Sequence, residues 1–204
     1  MNARLICLSI LLLFTFIETI HANDKRVRER AIMEVTRLGG KVEFDETVPG
    51  KPITKIDLHG TQVADSDLGF LKDLKELRSL DLRLTKIGDA GVENLKHLKK
   101  LQTLNLFRTQ LGDRGLAHLR KLRELQTLLI GGTRVTDSGL VHLKALTKLK
   151  KLSLFGTEVS DAGLAHLKVL VELETLLIGG SKITDAGAKE LQKALPRLRF
   201  TEQG

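Results

Sequence analysis

Asp57 and Asp81 lie 24 residues apart, and each is followed two residues later by a basic side chain, His59 or Arg83, with Lys55 just ahead. If the two segments are neighbouring strands of one sheet, their carboxylates stand about 5 Å apart and repel unless a cation or proton intervenes. Such a cluster can act as a weak metal site, as an acid/base pair, or as a salt-bridge network balanced by the basic residues. The network is the favoured reading. His118, His142 and His166 also recur every 24 residues. They fall on helical segments about 10 Å apart, too far for one zinc ion whose nitrogen ligands sit about 2 Å away. Asp65, Asp89, Asp113, Asp137, Asp161 and Asp185 keep the same interval, and each precedes leucines at helical spacing such as Leu116, Leu119 and Leu122. A carboxylate there is expected to cap the free amides of a helix start. No catalytic triad, nucleophile elbow or phosphate loop is present: Gly131-Gly132 and Gly179-Gly180 lead into Thr/Ser-x-[Val/Ile]-x-Asp, not into a phosphate-binding helix. The expectation is a chain with no catalytic residue, no metal and no cofactor.

These residues are positioned by a repeat. Leucines 77, 101, 125, 149 and 173 each open the pattern L-x-x-L-x-[LI]-x-x-[TS]-x-[VIL]-x-D-x-G-x-x-x-L-x-x-[LA], and a copy starting at Ile53 carries Asp67 where the others have glycine. Leu195, Leu198 and Phe200 restart it, so six copies and a seventh strand are expected. Alternating apolar residues, as in Leu101, Leu104 and Leu106, argue a short strand with one buried face, and the leucines after each aspartate argue a helix. A strand and a helix in constant order make neighbouring strands parallel, and only a stack of such units buries a continuous core. Strands pack about 4.8 Å apart and helices about 8–10 Å, so the stack must curve with the strands inside. Glycines 91, 115, 139, 163 and 187 in the first helical turn are expected to let successive helices approach.

This pattern resembles the leucine-rich-repeat family over residues 53–200. The T-x-[VI]-x-D-x-G-L signature is closest to short-helix variants, as in bacterial exported forms and the repeat arrays of F-box adaptors; no F-box-like segment precedes the repeats, so the ubiquitin-ligase role is not carried over. The resemblance implies an α/β fold, a right-handed solenoid with a curved parallel sheet inside and short helices outside. It also implies that the row Thr61, Thr85, Thr109, Thr133, Thr157 and Ser181 bonds backbone groups between turns, where the family often places Asn or Cys.

Residues 23–52 read as an N-terminal cap, with Val27, Ala31, Val35 and Leu38 at helical spacing and a strand-like Lys41–Asp45 before the turn at Pro49-Gly-Lys-Pro. Residues 53–204 form the solenoid, and an uncovered last strand invites a weak end-to-end homodimer. Residues 1–22 have a basic start and an apolar run of 13 residues (Leu5–Ile17), which describes a secretory signal and is short of the roughly 20 needed to span a membrane. The mature chain is therefore expected outside the cytoplasm, secreted, periplasmic or envelope-associated, without the single cysteine, Cys7, and without a membrane span. Aromatics are 3% of the 204 residues, with no Trp or Tyr, which argues against stacking platforms for nucleic acid.

Between the buried leucines, the inner face is expected to show Asp57, His59, Asp81, Arg83 and Asn105 first, then Phe107, Leu129, Ser153, Phe155 and Leu177. Apolar groups on a solvent-facing sheet are not needed by the core; they either pack against one another across strands or form a partner patch, and this face is read as the binding surface for a protein or peptide. The net charge of +8 includes a second feature: Lys72, Lys75, Lys96, Lys99, Lys100, Arg120, Lys121 and Arg123 cluster where the helices end. That flank is the alternative site, for an anionic surface polymer.

Overall fold

The computed structural model describes residues 23–201; the secretory-signal segment expected over residues 1–22 lies outside them. The chain begins with a helix over residues 23–37 (α1), and Ala31 and Val35 press into the core while Val27 and Leu38 pack against it. The helix ends at Gly39, whose φ of +78° only glycine adopts without strain. At Gly40 a side chain has no room, because a Cβ would meet the Asp57 carbonyl at 2.6 Å. Strand β1 (Lys41–Phe44) then pairs antiparallel with β2 (Ile53–Asp57). Arg28 donates to the Gly50 carbonyl at 2.8 Å, tying α1 to the turn between them.

From β2 onward every strand is parallel to the next. Strands β3 (Ser79–Asp81), β4 (Thr103–Asn105), β5 (Thr127–Leu129), β6 (Lys151–Ser153), β7 (Thr175–Leu177) and β8 (Arg199–Thr201) follow in sequence order in one eight-stranded sheet. The register is 24 residues throughout, Leu80 facing Leu104, Leu104 facing Leu128 and Leu128 facing Leu152. These leucines are fully buried in one continuous core that runs the length of the stack. The repeat therefore forms a solenoid because equivalent leucines stack on one another, each turn covering the apolar face of the turn before.

The helices are α2 (Asp89–Glu93), α3 (Asp113–Leu119), α4 (Asp137–Leu140), α5 (Asp161–Leu164) and α6 (Asp185–Ala194). Three of them run on directly as 3-10 turns: Asn94–His97 after α2, Val141–Ala145 after α4 and Ala165–Leu167 after α5. The first repeat is 3-10 throughout, over Asp65–Asp73. Its Asp67, in the glycine position, accepts the Ala64 amide at 2.9 Å and the Arg37 guanidinium at 2.9 Å, which ties this turn to α1. Among the described residues no helix is long and apolar enough to cross a membrane.

Two ladders differ from their expected form. The aspartates at 65, 89, 113, 137, 161 and 185 are first helical residues and do not cap their own helices; the caps are Ala64, Gly88, Gly112, Thr136, Ser160 and Thr184. Each of the first five carboxylates instead reaches across to the cap of the following turn. Asp65 accepts Gly88 N–H and Asp89 accepts Gly112 N–H, both at 2.7 Å. Asp113 accepts the Thr136 amide at 2.8 Å and its hydroxyl at 2.7 Å, and Asp137 and Asp161 hold Ser160 and Thr184 in the same way. The glycine three residues after each cap makes room for that carboxylate rather than for a helix: a Cβ at Gly115 would lie 2.5 Å from Asp89 Oδ1, and Gly91, Gly139, Gly163 and Gly187 are blocked by the aspartate of the preceding turn likewise. The threonine row bonds within its own turn, each hydroxyl donating to the carbonyl three residues back, as Thr85 to Leu82 at 2.6 Å and Thr133 to Ile130 at 2.6 Å. A β-branched hydroxyl at the strand exit closes its turn locally, so the inter-turn bonding falls to backbone and aspartate.

Two carboxylates of these turns carry a pH dependence. Asp161 is held below the ordinary carboxylate range by the Thr184 amide and then its hydroxyl, and Asp67 by the Ala64 amide and then Arg37. A carboxyl with a lowered native pKa contributes stability that is full above its unfolded value, about 4, and is lost as pH falls through the native value. The urea midpoint is therefore expected to hold between pH 7 and about 5 and to drop below about pH 4. Asp161→Asn should flatten that drop; an equally steep acid limb in the variant would remove Asp161 from the account.

Candidate functional site on the inner sheet face

The strand register brings Asp57 and Asp81 directly opposite each other on β2 and β3. Each is used by its own chain. Asp57 Oδ1 accepts the His59 backbone amide at 3.0 Å and lies 2.7 Å from the His59 ring nitrogen Nδ1. Asp81 accepts the Arg83 amide at 3.0 Å, sits 3.5 Å from the Arg83 guanidinium, and takes a bond from Asn105 Nδ2 at 3.3 Å. Asn105 in turn accepts the Phe107 amide at 3.1 Å. The side chain at the end of three successive strands thus stops its strand by bonding the amide two residues on. Burial works against the charge on Asp57, but the bonds from His59 and the nearby charges of His59 and Arg83 outweigh it and hold the carboxyl below its ordinary range. Lys55 turns to Glu43 on β1 at 2.7 Å. The cluster is a bonded network, and among the described residues no three His, Cys, Asp or Glu side chains converge as a metal site would need.

Further along the face the chemistry changes. Asn105, Ser153 and Leu177 are buried, so little of them is offered to solvent, whereas Phe107, Leu129 and Phe155 are half-exposed. Phe107 and Phe155 come from turns two apart, yet their ring centroids are 6.4 Å apart with planes tilted by 43°. The intervening turn carries Gly131 at this position. A Cβ there would be 3.1 Å from Phe107 Cδ2 and 2.9 Å from the Phe155 carbonyl, so the glycine is the floor over which the rings meet. The alternation of Phe-x-Thr and Leu-Ile-Gly-Gly copies along the chain is what makes this pairing sterically allowed.

The residue after this row needs a left-handed backbone. Gly60, Gly132, Gly156 and Gly180 supply it with φ between +61° and +68°. In the two turns between Gly60 and Gly132 the same place is held by Leu84 at φ +58° and Arg108 at φ +52°. Such a conformation costs a non-glycine residue about 1–2 kcal/mol. Leu84 is 49% exposed, so packing recovers only part of that cost. The Arg108 guanidinium lies over the Phe107 ring, 5.2 Å from its centroid. Neither residue was picked out by the alternation of the strands, which ends before this position. The available signal is the interruption of a glycine column at 60, 132, 156 and 180 by a leucine and an arginine. Together, Arg83, Leu84, Phe107, Arg108, Leu129 and Phe155 form a mixed aromatic, aliphatic and cationic patch on a rigid sheet.

The basic flank lies elsewhere, at the corner where helices return to strands, and part of it is neutralised. Lys96 pairs with Glu93 at 2.9 Å, Lys100 with Glu76 at 2.7 Å and Lys148 with Glu124 at 2.8 Å. Lys72, Lys75, Arg120, Lys121 and Arg123 are exposed.

In comparison with known proteins, a family model described as Leucine Rich repeat matches residues 75–96, 97–119 and 145–168. No curated protein matches the sequence. Among solved structures, an internalin (inlF) of Listeria monocytogenes is similar with a TM-score of 0.54 and 20% identity, over 76% of this chain and 51% of its own. This chain thus spans about half the length of that internalin. Internalin C2 of the same organism is similar with a TM-score of 0.51 and 24% identity, over 72% of this chain and 71% of its own. At these identities the likeness is one of fold. The 24-residue register, the parallel ladder and the matched repeats agree, and the fold is a leucine-rich-repeat solenoid.

Proposed function

We propose that the chain is an exported, non-enzymatic scaffold that captures a protein or peptide on its inner sheet face. The observation that carries this reading is the strained pair Leu84 and Arg108, which gives up backbone stability to set a half-exposed aliphatic group and a cation beside the paired rings. Two rings and two arginines in one patch match the residue types that dominate binding energy at protein interfaces. The acidic end of the face, satisfied by its own backbone, supplies a rigid edge rather than a reacting group. Export is supported by the basic start and the apolar run Leu5–Ile17.

The test separates binding from folding by sign. Leu84→Gly relieves the left-handed strain and is expected to raise stability by about 0.5–1 kcal/mol. Arg108→Gly also loses the ring contact and is expected to change stability by less than about 0.5 kcal/mol. The double variant should melt no lower than the parent, yet lose at least ten-fold in capture of its partner from the extracellular fraction. Capture at parental strength by this variant would overturn the reading.

A further inference from the structure

At the corner where helices return to strands, two columns of side chains run next to each other along the stack. Residues 76, 100, 124 and 148 are Glu, Lys, Glu and Lys. Lys100 Nζ donates to both oxygens of Glu76 at 2.7 Å, and Lys148 Nζ to both oxygens of Glu124 at 2.8 Å. These bonds show that side chains 24 residues apart reach each other here from adjacent turns.

One residue earlier the column reads Lys75, Lys99 and Arg123. Here the sign does not alternate, and none of the three has a carboxylate partner among the described residues. The exposed Lys121 adds a fourth cation, close enough for its charge to act on Lys99. Lys99 Nζ is fixed by the Lys96 carbonyl at 2.9 Å. Its ammonium is pushed below its ordinary value, first by partial burial and then by the charges of Lys121 and Arg123. A glutamate at 123 would relieve this repulsion in the way Glu124 relieves Lys148 one residue along. Arg123 is exposed, so its charge is not set by packing in the core.

We infer that Lys75, Lys99, Lys121 and Arg123 form a binding site for a linear polyanion bearing sulfate or phosphate groups along its length. The row runs along the stack in steps of about 5–10 Å, the range set by strand and helix spacing, which suits a chain lying across three turns. A lipid surface is a poorer match. The exposed valines at this corner, Val169 and Val171, lie turns beyond the cations, whereas an inserting face carries its apolar groups among its cations.

The site is tested by titrating the chain with a heparin oligosaccharide and with inorganic polyphosphate over a salt series. The parent is expected to bind one or both with an affinity that falls steeply with salt. Lys99→Gln/Arg123→Gln should weaken binding about ten-fold or more and flatten the salt slope by about one unit per cation removed. Lys148→Gln/Lys182→Gln removes the same charge from two lysines paired with Glu124 and Glu158 and should change affinity less than about two-fold. Arg123→Glu should abolish binding without lowering the melting temperature, since it replaces an exposed charge that repels Lys99 with one that attracts it. Equal losses in the two double variants, no binding of either probe by the parent, or binding to phosphatidylglycerol vesicles alone would each overturn the proposal.

Discussion

Gly139→Ala is expected to destabilise the chain by about 2–3 kcal/mol, although alanine favours a helix over glycine by about 1 kcal/mol. Gly139 lies in the first turn of α4, and a Cβ there runs into Asp113 Oδ1 of the preceding turn and comes within 3.0 Å of Leu116 Cδ1. The carboxylate cannot retreat freely, because it holds the Thr136 amide at 2.8 Å and the Thr136 hydroxyl at 2.7 Å. Moving it gives up two bonds to a charged acceptor, each worth about 1.5–3 kcal/mol and discounted here for partial exposure. The diagnostic is the sign in a second background. In Asp113→Ala the bonds are already lost and the closest obstruction is gone, leaving only the flexible end of Leu116, so Gly139→Ala should become neutral or stabilising. Urea titrations of the four chains measure the coupling. Additive costs would mean that the carboxylate and the glycine do not act as one latch. Because packing runs mainly between adjacent turns, a break in mid-stack should also split the unfolding transition into two steps.

Phe107→Ala/Phe155→Ala is expected to reduce partner capture at least 100-fold while leaving the fold intact. Two ring anchors at the centre of an interface each contribute about 2 kcal/mol or more when truncated, and they do so jointly because each ring supports the other. The rings stand on the solvent side of the sheet, whereas Leu104, Leu128 and Leu152 beneath them are fully buried. Thermal stability should therefore fall only by the area the rings lose on each other, about 1 kcal/mol. A second arm keeps both rings and disturbs their floor. Gly131→Ala places a methyl group 3.1 Å from Phe107 Cδ2, and it should weaken capture by spreading the pair. Capture unchanged in the double alanine variant would remove the inner face from the proposed function.

The leucine column made the architecture legible: one period fixed strand direction, strand partner and register, because residues at equal phase in a stack must lie side by side. It did not say which turn a side chain serves. Asp113 and Gly115 lie in one repeat, but Asp113 blocks Gly139 and Asp89 blocks Gly115, so a motif read within one copy assigns the carboxylate to the wrong helix. The threonine row misled in the opposite sense, bonding within a turn where bonding between turns was expected. On the inner face, alternation placed Phe107 and Phe155 but also Asn105, Ser153 and Leu177, which are buried, and alternation alone does not separate the two groups. Leu84 and Arg108 were visible as departures from a glycine column, yet their meaning rests on a backbone angle that no side-chain pattern records.

The ring pair spanning Gly131 has a bearing on how such an array can lengthen. A recombination that inserts one 24-residue copy would set phenylalanine beside phenylalanine, or glycine beside glycine, and spoil the spacing. An insertion of two copies keeps the phase and adds one more aromatic at the same separation. Descendants of this chain should therefore differ in length by even numbers of turns, with their recognition surface extended one ring at a time.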